Sequence, residues 1–265
     1  TEFTKYMQTV KLLDGNHWDK DKLLDKMVND DFYYGELNKL ALSSSSLKLL
    51  LDSPKSYYYI NKYGNEQTQA LRSGWLLHTA VLEPQKYDKL KFIPVKSKNT
   101  KAYKLAVEEY GQVFTQTEKE ETERLVDALL KNPQAISLLS DSKTEVPGIH
   151  EDIFGMPFRG KADILKNKGG IVDLKTTVDV QNFDKSAYRF RYYLQVYLYC
   201  QIFGCDYKDF TFLCISKNTL DVGVWNVSKD FYEYGKREVE RAIKLYKTFF
   251  VEDFDLNDYT ITGTI

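Results

Sequence analysis

Asp163 and Asp173 stand ten residues apart, and Lys175 follows the second acid by two. In a strand, residues two apart share a face, so Asp173 and Lys175 point one way while Val172 and Leu174 turn to the opposite, buried side. The Gly169-Gly170 pair reads as a turn, and antiparallel strands around it bring Asp163 beside Asp173. Two carboxylates held together repel unless a cation sits between them, and hard oxygen ligands in this number suit Mg2+ or Mn2+. The Lys175 ammonium then stands where it can position or activate a water. These are the parts of metal-assisted phosphodiester hydrolysis.

The elements that must hold these residues follow from period and punctuation. Residues 145–153, 157–165 and 170–176 read as a three-strand meander. A long helix over 182–203, ended by Gly204, comes next. Strands over 209–216 and 220–227 and a closing helix over 229–250 complete the second half. In the first half, Ser43-Ser44-Ser45-Ser46 caps a short helix that Pro54 stops. A second helix spans 69–83 before Pro84, and Thr117 with Glu120 forms a capping box for a third, ending near Leu130. The expected fold is α/β: a mixed sheet flanked by helices. It forms one domain over 1–265, mainly helical over 1–140, with a catalytic sheet core over 141–250 and an acidic tail over 251–265.

Composition narrows the class. With 43% hydrophobic and 28% charged residues over 265 positions, this is the balance of an ordinary soluble globular protein. No apolar run reaches the length of a membrane span, and the start, Thr-Glu-Phe-Thr-Lys, has no signal-peptide core. The chain begins without Met, as a trimmed or excised domain would. Three cysteines, Cys200, Cys205 and Cys214, do not suggest a secreted disulfide framework, so a cytoplasmic protein is expected. The net charge of −1 is unusual for a nucleic-acid binder. It hides a run from Lys86 to Lys104 with seven lysines against one acid, Asp88.

Around this core the sequence resembles a known family. Asp163…Asp173-Leu174-Lys175 is similar to the motif of the PD-(D/E)xK nuclease superfamily, with Asp as the middle acid. Gly74-Trp75-Leu76-Leu77-His78, followed by Leu82-Glu83-Pro84, resembles the Gly-x-x-x-His helix of RecE-type exonucleases, relatives of lambda exonuclease. Asp173-Leu174-Lys175-Thr176-Thr177 has the form of that family's Asp-Val-Lys-Thr-Thr, and Tyr188–Gln195 resembles its following helix. Gln195-Val196-Tyr197-Leu198-Tyr199 fits a Gln-x-x-x-Tyr element of RecB-like nucleases. Ser43–Leu47 and Asp52-Ser53-Pro54 fit the opening helix, so the ordered match runs from about Leu42 to Gly204.

The resemblance implies roles. Asp163, Asp173 and the main-chain carbonyl of Leu174 would ligate metal, His78 would approach it, and Lys175 would serve the attacking water. Glu145 matches an acid that contacts metal through water, although an exposed strand residue is the plainer reading. Gln195 and Tyr199 share a helix face and would orient the site or meet DNA; ordinary helix packing is the alternative. Ser43 and Ser45 at a helix start, with Arg72, would receive a 5′-phosphate, and Arg191 joins the DNA-contacting set. The implied activity is a Mg2+-dependent exodeoxyribonuclease, with Mn2+ able to substitute. It would digest linear double-stranded DNA 5′-to-3′ and leave 3′ single-stranded tails. A single-strand annealing protein as partner, a ring-shaped trimer or tetramer, and a phage or prophage recombination role follow by analogy. The alternatives are an endonuclease or DNA-repair enzyme of the same superfamily, or a non-catalytic DNA-binding module. Three late cysteines do not make an iron–sulfur site of four, and no Walker A motif is present.

Overall fold

Side-chain caps set out the helical half. Asp19, Ser43, Ser53, Thr68, Thr100, Thr115 and Asn132 each accept a backbone N–H at a helix start, satisfying donors that would otherwise lack partners. The structure is a computed structural model and describes residues 9–265. A hairpin of β1 (Thr9–Lys11) and β2 (His17–Asp19) leads into α1 (Lys20–Met27). A π-turn at Phe32–Glu36 follows, and then α2 (Ser44–Asp52), α3 (Pro54–Tyr63), α4 (Gln69–Leu82) and α5 (Pro84–Tyr87). The short parallel strands β3 (Phe92–Ile93) and β4 (Phe114–Thr115) bracket α6 (Lys101–Tyr110). Helices α7 (Gln116–Lys131) and α8 (Pro133–Leu139) then reach the sheet.

That sheet has five strands in sequence order: β5 (Ser142–Ile153), β6 (Met156–Lys166), β7 (Ile171–Thr177), β8 (Phe210–Ser216) and β9 (Val222–Asn226). Only β7 and β8 pair in parallel. Their crossover carries α9 (Phe183–Arg189) and α10 (Tyr192–Phe203), as a parallel pair requires. Helix α11 (Lys229–Tyr246) closes the fold against α10. One face of the sheet buries Phe158, Phe210 and Phe212 against Leu194, Leu198 and Val239 of α10 and α11. The other buries Val172, Leu174 and Leu213 against Leu77 of α4 and Leu125 and Leu129 of α7. Central β7 is therefore covered on both sides, and Ile171, Val172, Asp173 and Leu174 are all buried.

The α/β mixed sheet flanked by helices is the fold the sequence led us to expect. Three local expectations change. The single helix over 182–203 is two helices, because Arg191 adopts φ 58° and turns the chain between them. The capping box lies at Thr115/Glu118 rather than Thr117/Glu120, with Glu118 N–H donating to Thr115 Oγ1 at 3.1 Å and Thr115 N–H to Glu118 Oε2 at 2.8 Å. Pro54 does not only stop a helix; it opens α3 at the first helical position, where its missing N–H is not needed. Among the described residues no helix is long and apolar enough to cross a membrane.

Candidate active site

The β6–β7 ladder ends at the Ile164–Val172 pair, and the site forms where the two strands part. Beyond that pair, Leu174 N–H donates to the Asp163 side chain (Oδ2, 2.9 Å). Asp163 Oδ2 also faces His78 Nε2 of α4 at 3.1 Å. The other ring nitrogen, Nδ1, lies 2.9 Å from Gly74 O one turn back, so it carries a proton. With acceptors at both nitrogens, the doubly protonated ring is the favoured form. Burial alone would lower its pKa, but the Asp163 carboxylate overrides this and pushes it up to about 9.

Across the fork, Asp173 is almost fully buried. Its Oδ1 accepts from Gln195 Nε2 of α10 at 2.7 Å, and Lys175 Nζ stands 2.7 Å from Oδ2 as an ion pair. Among the described residues no donor makes an aligned hydrogen bond to that Oδ2. Lys175 Nζ also donates to Gln195 Oε1 at 3.1 Å and lies 4.6 Å from the centre of the Tyr192 ring. Burial lifts Asp173 to about 6, against the pull of Lys175 and with the charge of Asp163 adding. Asp163 stays below the ordinary carboxylate value: burial would raise it, but His78, Lys175 and the Leu174 amide prevail. Lys175 is raised despite its burial by Asp173, so it remains an ammonium.

Glu145 of β5 reaches the same space by an unusual route. It holds φ 50° inside a strand, and the β5–β6 register steps over it, pairing Thr144 with Ile164 and Val146 with Ala162. A bulky residue in the left-handed region is strained, and such strain concentrates at functional sites. Burial, with Asp163 and Glu83 adding, lifts Glu145 to about 7.

The sequence-derived residues sort into two groups. Asp163, Asp173, Leu174, Lys175, His78 and Gln195 meet at the fork. Tyr199 lies beside it, but its hydroxyl is held by the Lys161 backbone, donating to O at 3.2 Å and accepting from N at 3.3 Å. It braces α10 on β6, and Gly160 permits that approach: a Cβ there would meet the Tyr199 ring at 2.8 Å. Arg72 requires correction as a phosphate ligand. It is buried, bonds both Glu118 oxygens, Tyr103 and Val113 O, and stacks 4.3 Å from the Phe114 ring centre. Ser43 is likewise occupied, its hydroxyl in the cap of α2 with Ser46, whereas Ser45 is exposed. Arg191 points to Asp52 (3.2 Å) and Glu238 (4.0 Å), which offset its charge.

Two grooves meet at this centre, and both are lined by His78, Lys175 and Gln195. The first, about 560 Å3, contains Asp163, Asp173, Glu145, Asp30 and Tyr33. The second, about 740 Å3, contains Lys48, Arg189, Phe190 and Lys217. Sequence reasoning missed Lys161, Asp30 and these second-groove residues; only the Arg-Phe-Arg triplet at 189–191 was a visible signal. Of the seven lysines over 86–104, Lys86 alone lines either groove.

The donor set suits a divalent cation. Two carboxylates of adjacent strands line one groove, and among the described residues one buried oxygen, Asp173 Oδ2, has no aligned donor. The Gly74 contact leaves His78 Nε2 as the nitrogen that would ligate once deprotonated. Among the described residues no three acidic, His or Cys side chains form a ready-made cage. Mg2+ does not need one, since it keeps several waters and takes one or two carboxylates.

Residues 43–254 match the sequence model of a family described as a PDDEXK-like domain of unknown function (DUF3799). No curated protein sequence matches significantly. A crystallised protein from Eubacterium rectale, described provisionally as an exonuclease, superposes with a TM-score of 0.64 at 16% identity, over 89% of this chain and 95% of its own. A phage-related exonuclease from Haemophilus somnus 129PT gives a TM-score of 0.37 at 16% identity, over 80% and 96%.

Proposed function

The chain belongs to this PDDEXK-like family, and from that premise we propose that it is a metal-dependent deoxyribonuclease, an exonuclease on linear double-stranded DNA. The observation that carries the reading is the fork, where Asp163 and Asp173 line one groove with His78 against the first and Lys175 against the second. Asp163 and Asp173 would hold the cation, Mg2+ or Mn2+, with His78 Nε2 and the Leu174 carbonyl beside them. When bound, the metal supplies a water of lowered pKa and neutralises charge on the phosphate. Lys175 acts as a fixed positive charge toward the developing phosphorane, because its raised pKa makes it a poor proton acceptor. Gln195 orients both Lys175 and Asp173. Glu145, titrating near neutrality, is the group suited to exchange a proton with solvent water.

The finer reading is 5′-to-3′ digestion that leaves a 3′ tail for an annealing protein, by a ring of three or four subunits that encloses its substrate. It rests on the likeness of the Gly74–His78 and Asp173–Thr177 segments to RecE-type exonucleases. A time course on linear duplexes labelled separately at each end, with and without Mg2+, tests it. Metal-dependent release of 5′ label first is expected. Release of 3′ label first would reverse the polarity, and rapid cutting of closed circles would make the enzyme an endonuclease. Sedimentation at micromolar concentration tests the ring, and a monomer that still digests processively would overturn it.

A further inference from the structure

The second groove is lined by cations from several elements. Among the described residues its lining includes Lys48, Lys175, Arg189, Arg191 and Lys217 but no Asp or Glu, in a chain with 38 acids and 37 Lys and Arg. Lys175 is answered by Asp173, and Arg191 by Asp52 and Glu238. Lys48, Arg189 and Lys217 form no ion pair among the described residues. Beside Lys48 and Arg189 stands Phe190, 42% exposed at the break between α9 and α10. Lys48 Nζ lies 5.5 Å and the Arg189 guanidinium 5.6 Å from its ring centre, near the outer limit of cation–π attraction. The side chain of Tyr192 braces the same ring, with centroids 5.9 Å apart.

An aromatic left exposed on a braced turn, with unpaired cations around it, is how proteins hold unpaired nucleic-acid strands. The bases stack on the ring while the phosphates meet the cations. In an intact duplex the interior base faces are covered by neighbouring pairs and cannot reach such a ring. We propose that the second groove binds single-stranded nucleic acid, with a base stacked on Phe190 and phosphates against Lys48, Arg189 and Lys217. The groove opens on His78 and Lys175, so the bound strand is led to the fork. This deepens the nuclease reading and rests on it for what becomes of the strand, though not for binding itself.

The test is fluorescence anisotropy of a labelled oligothymidylate of about 12 nucleotides with the full chain in EDTA, where no cleavage can occur. Phe190→Ala should weaken binding about tenfold and leave the salt dependence unchanged, with Phe190→Trp restoring affinity. Arg189→Gln/Lys217→Gln should weaken binding and shallow the slope of log K against log salt by about 1.4. Lys48→Gln gives an independent third position should either of the others unfold, as circular dichroism would reveal. Wild-type protein that ignores the oligonucleotide, or variants that bind like wild type, would overturn the proposal. So would an equal loss on a duplex with hairpin-capped ends, since the groove would then be a duplex site. The nuclease reading fails separately, if wild type with Mg2+ is as inert on labelled duplex as Asp173→Asn.

Discussion

The two grooves that meet at the fork use their cations in opposite ways. In the first, Lys86 and Lys161 share Asp30 at 2.6 Å and 3.0 Å, and Arg159 is tied to Ala41 O and the Asn38 side chain. Those cations secure the π-turn at 32–36 and its neighbours to the sheet. In the second, Lys48, Arg189 and Lys217 form no ion pair among the described residues, although the charge of Glu121 reaches Lys217, and Phe190 beside the first two is exposed. A paired buried cation is framework, because separating it leaves an uncompensated charge. An unpaired cation beside a reactive centre is free to meet an anion. Net charge hides the distinction, since a chain at −1 can still present an acid-free groove.

The sharpest way to break this comparison is at the fork itself. Asp163→Asn and Asp173→Asn should each lower hydrolysis by about a thousandfold or more, the scale of several kcal/mol of metal-borne charge stabilisation. Both keep the volume of the side chain, so folding should survive and metal affinity fall. Lys175→Met should lose comparable activity while metal binding, followed by calorimetry, stays close to wild type. Near-normal cleavage by Asp173→Asn would make the fork framework too, and the two grooves would then flank nothing reactive.

Arg72 tests the opposite claim, that a buried paired cation is structural. Arg72→Ala strands Glu118 and should cost about 3–5 kcal/mol in denaturant unfolding without a specific effect on end preference. Its pH dependence has a defined sign. Burial would raise Glu118, but Arg72 and the Thr115 N–H hold it at about 2, below its ordinary 4.5. A depressed folded pKa stabilises fully above the unfolded value, and that contribution is lost as pH falls from about 5 to about 2. The stability gap between wild type and Glu118→Gln should therefore be wide at pH 7 and narrow at pH 3. A gap independent of pH would show that the pair does not anchor α4 to α7.

These cases also mark what was legible beforehand. The meander and its Asp-x-Lys strand could be read because the two-residue period of a strand survives any tertiary context. Gln195 could be placed because it lies on a helix with a fixed phase to its neighbours. Arg72 could not, because its partner lies 46 residues away and nothing local announces it. Glu145 was visible as an acid but not as a strained one, since no local pattern announces a φ of 50° within β5. The acid-free groove was hidden for the same reason: Lys48, Arg189 and Lys217 come from α2, α9 and the β8–β9 turn.

A smaller effect separates the grooves directly. Lys86→Gln in the first should leave oligonucleotide affinity within about twofold and the salt slope unchanged, because its charge already answers Asp30 and Glu83. Arg189→Gln in the second should weaken binding across all sequences and reduce the slope by roughly one phosphate contact. Equal responses from the two would erase the distinction between paired and unpaired cations.

The smallest expected effect lies where the grooves share a wall, at the start of α2. Ser43 and Ser45 look equivalent in sequence, yet only Ser45 is exposed. Ser43 Oγ accepts the Ser46 N–H at 3.2 Å, so Ser43→Ala should lower stability by about 1 kcal/mol, as cap removal does. It should leave any preference for 5′-phosphorylated ends intact. Ser45→Ala removes no cap and should change stability by less than about 0.5 kcal/mol. If an end phosphate docks at this helix start, where free amides favour an anion, Ser45→Ala alone should reduce the rate advantage of 5′-phosphate over 5′-hydroxyl duplex. Paired rate measurements on the two substrates decide it. An unchanged ratio in Ser45→Ala, together with a collapsed ratio in Arg189→Gln, would move the phosphate site from the shared wall into the acid-free groove.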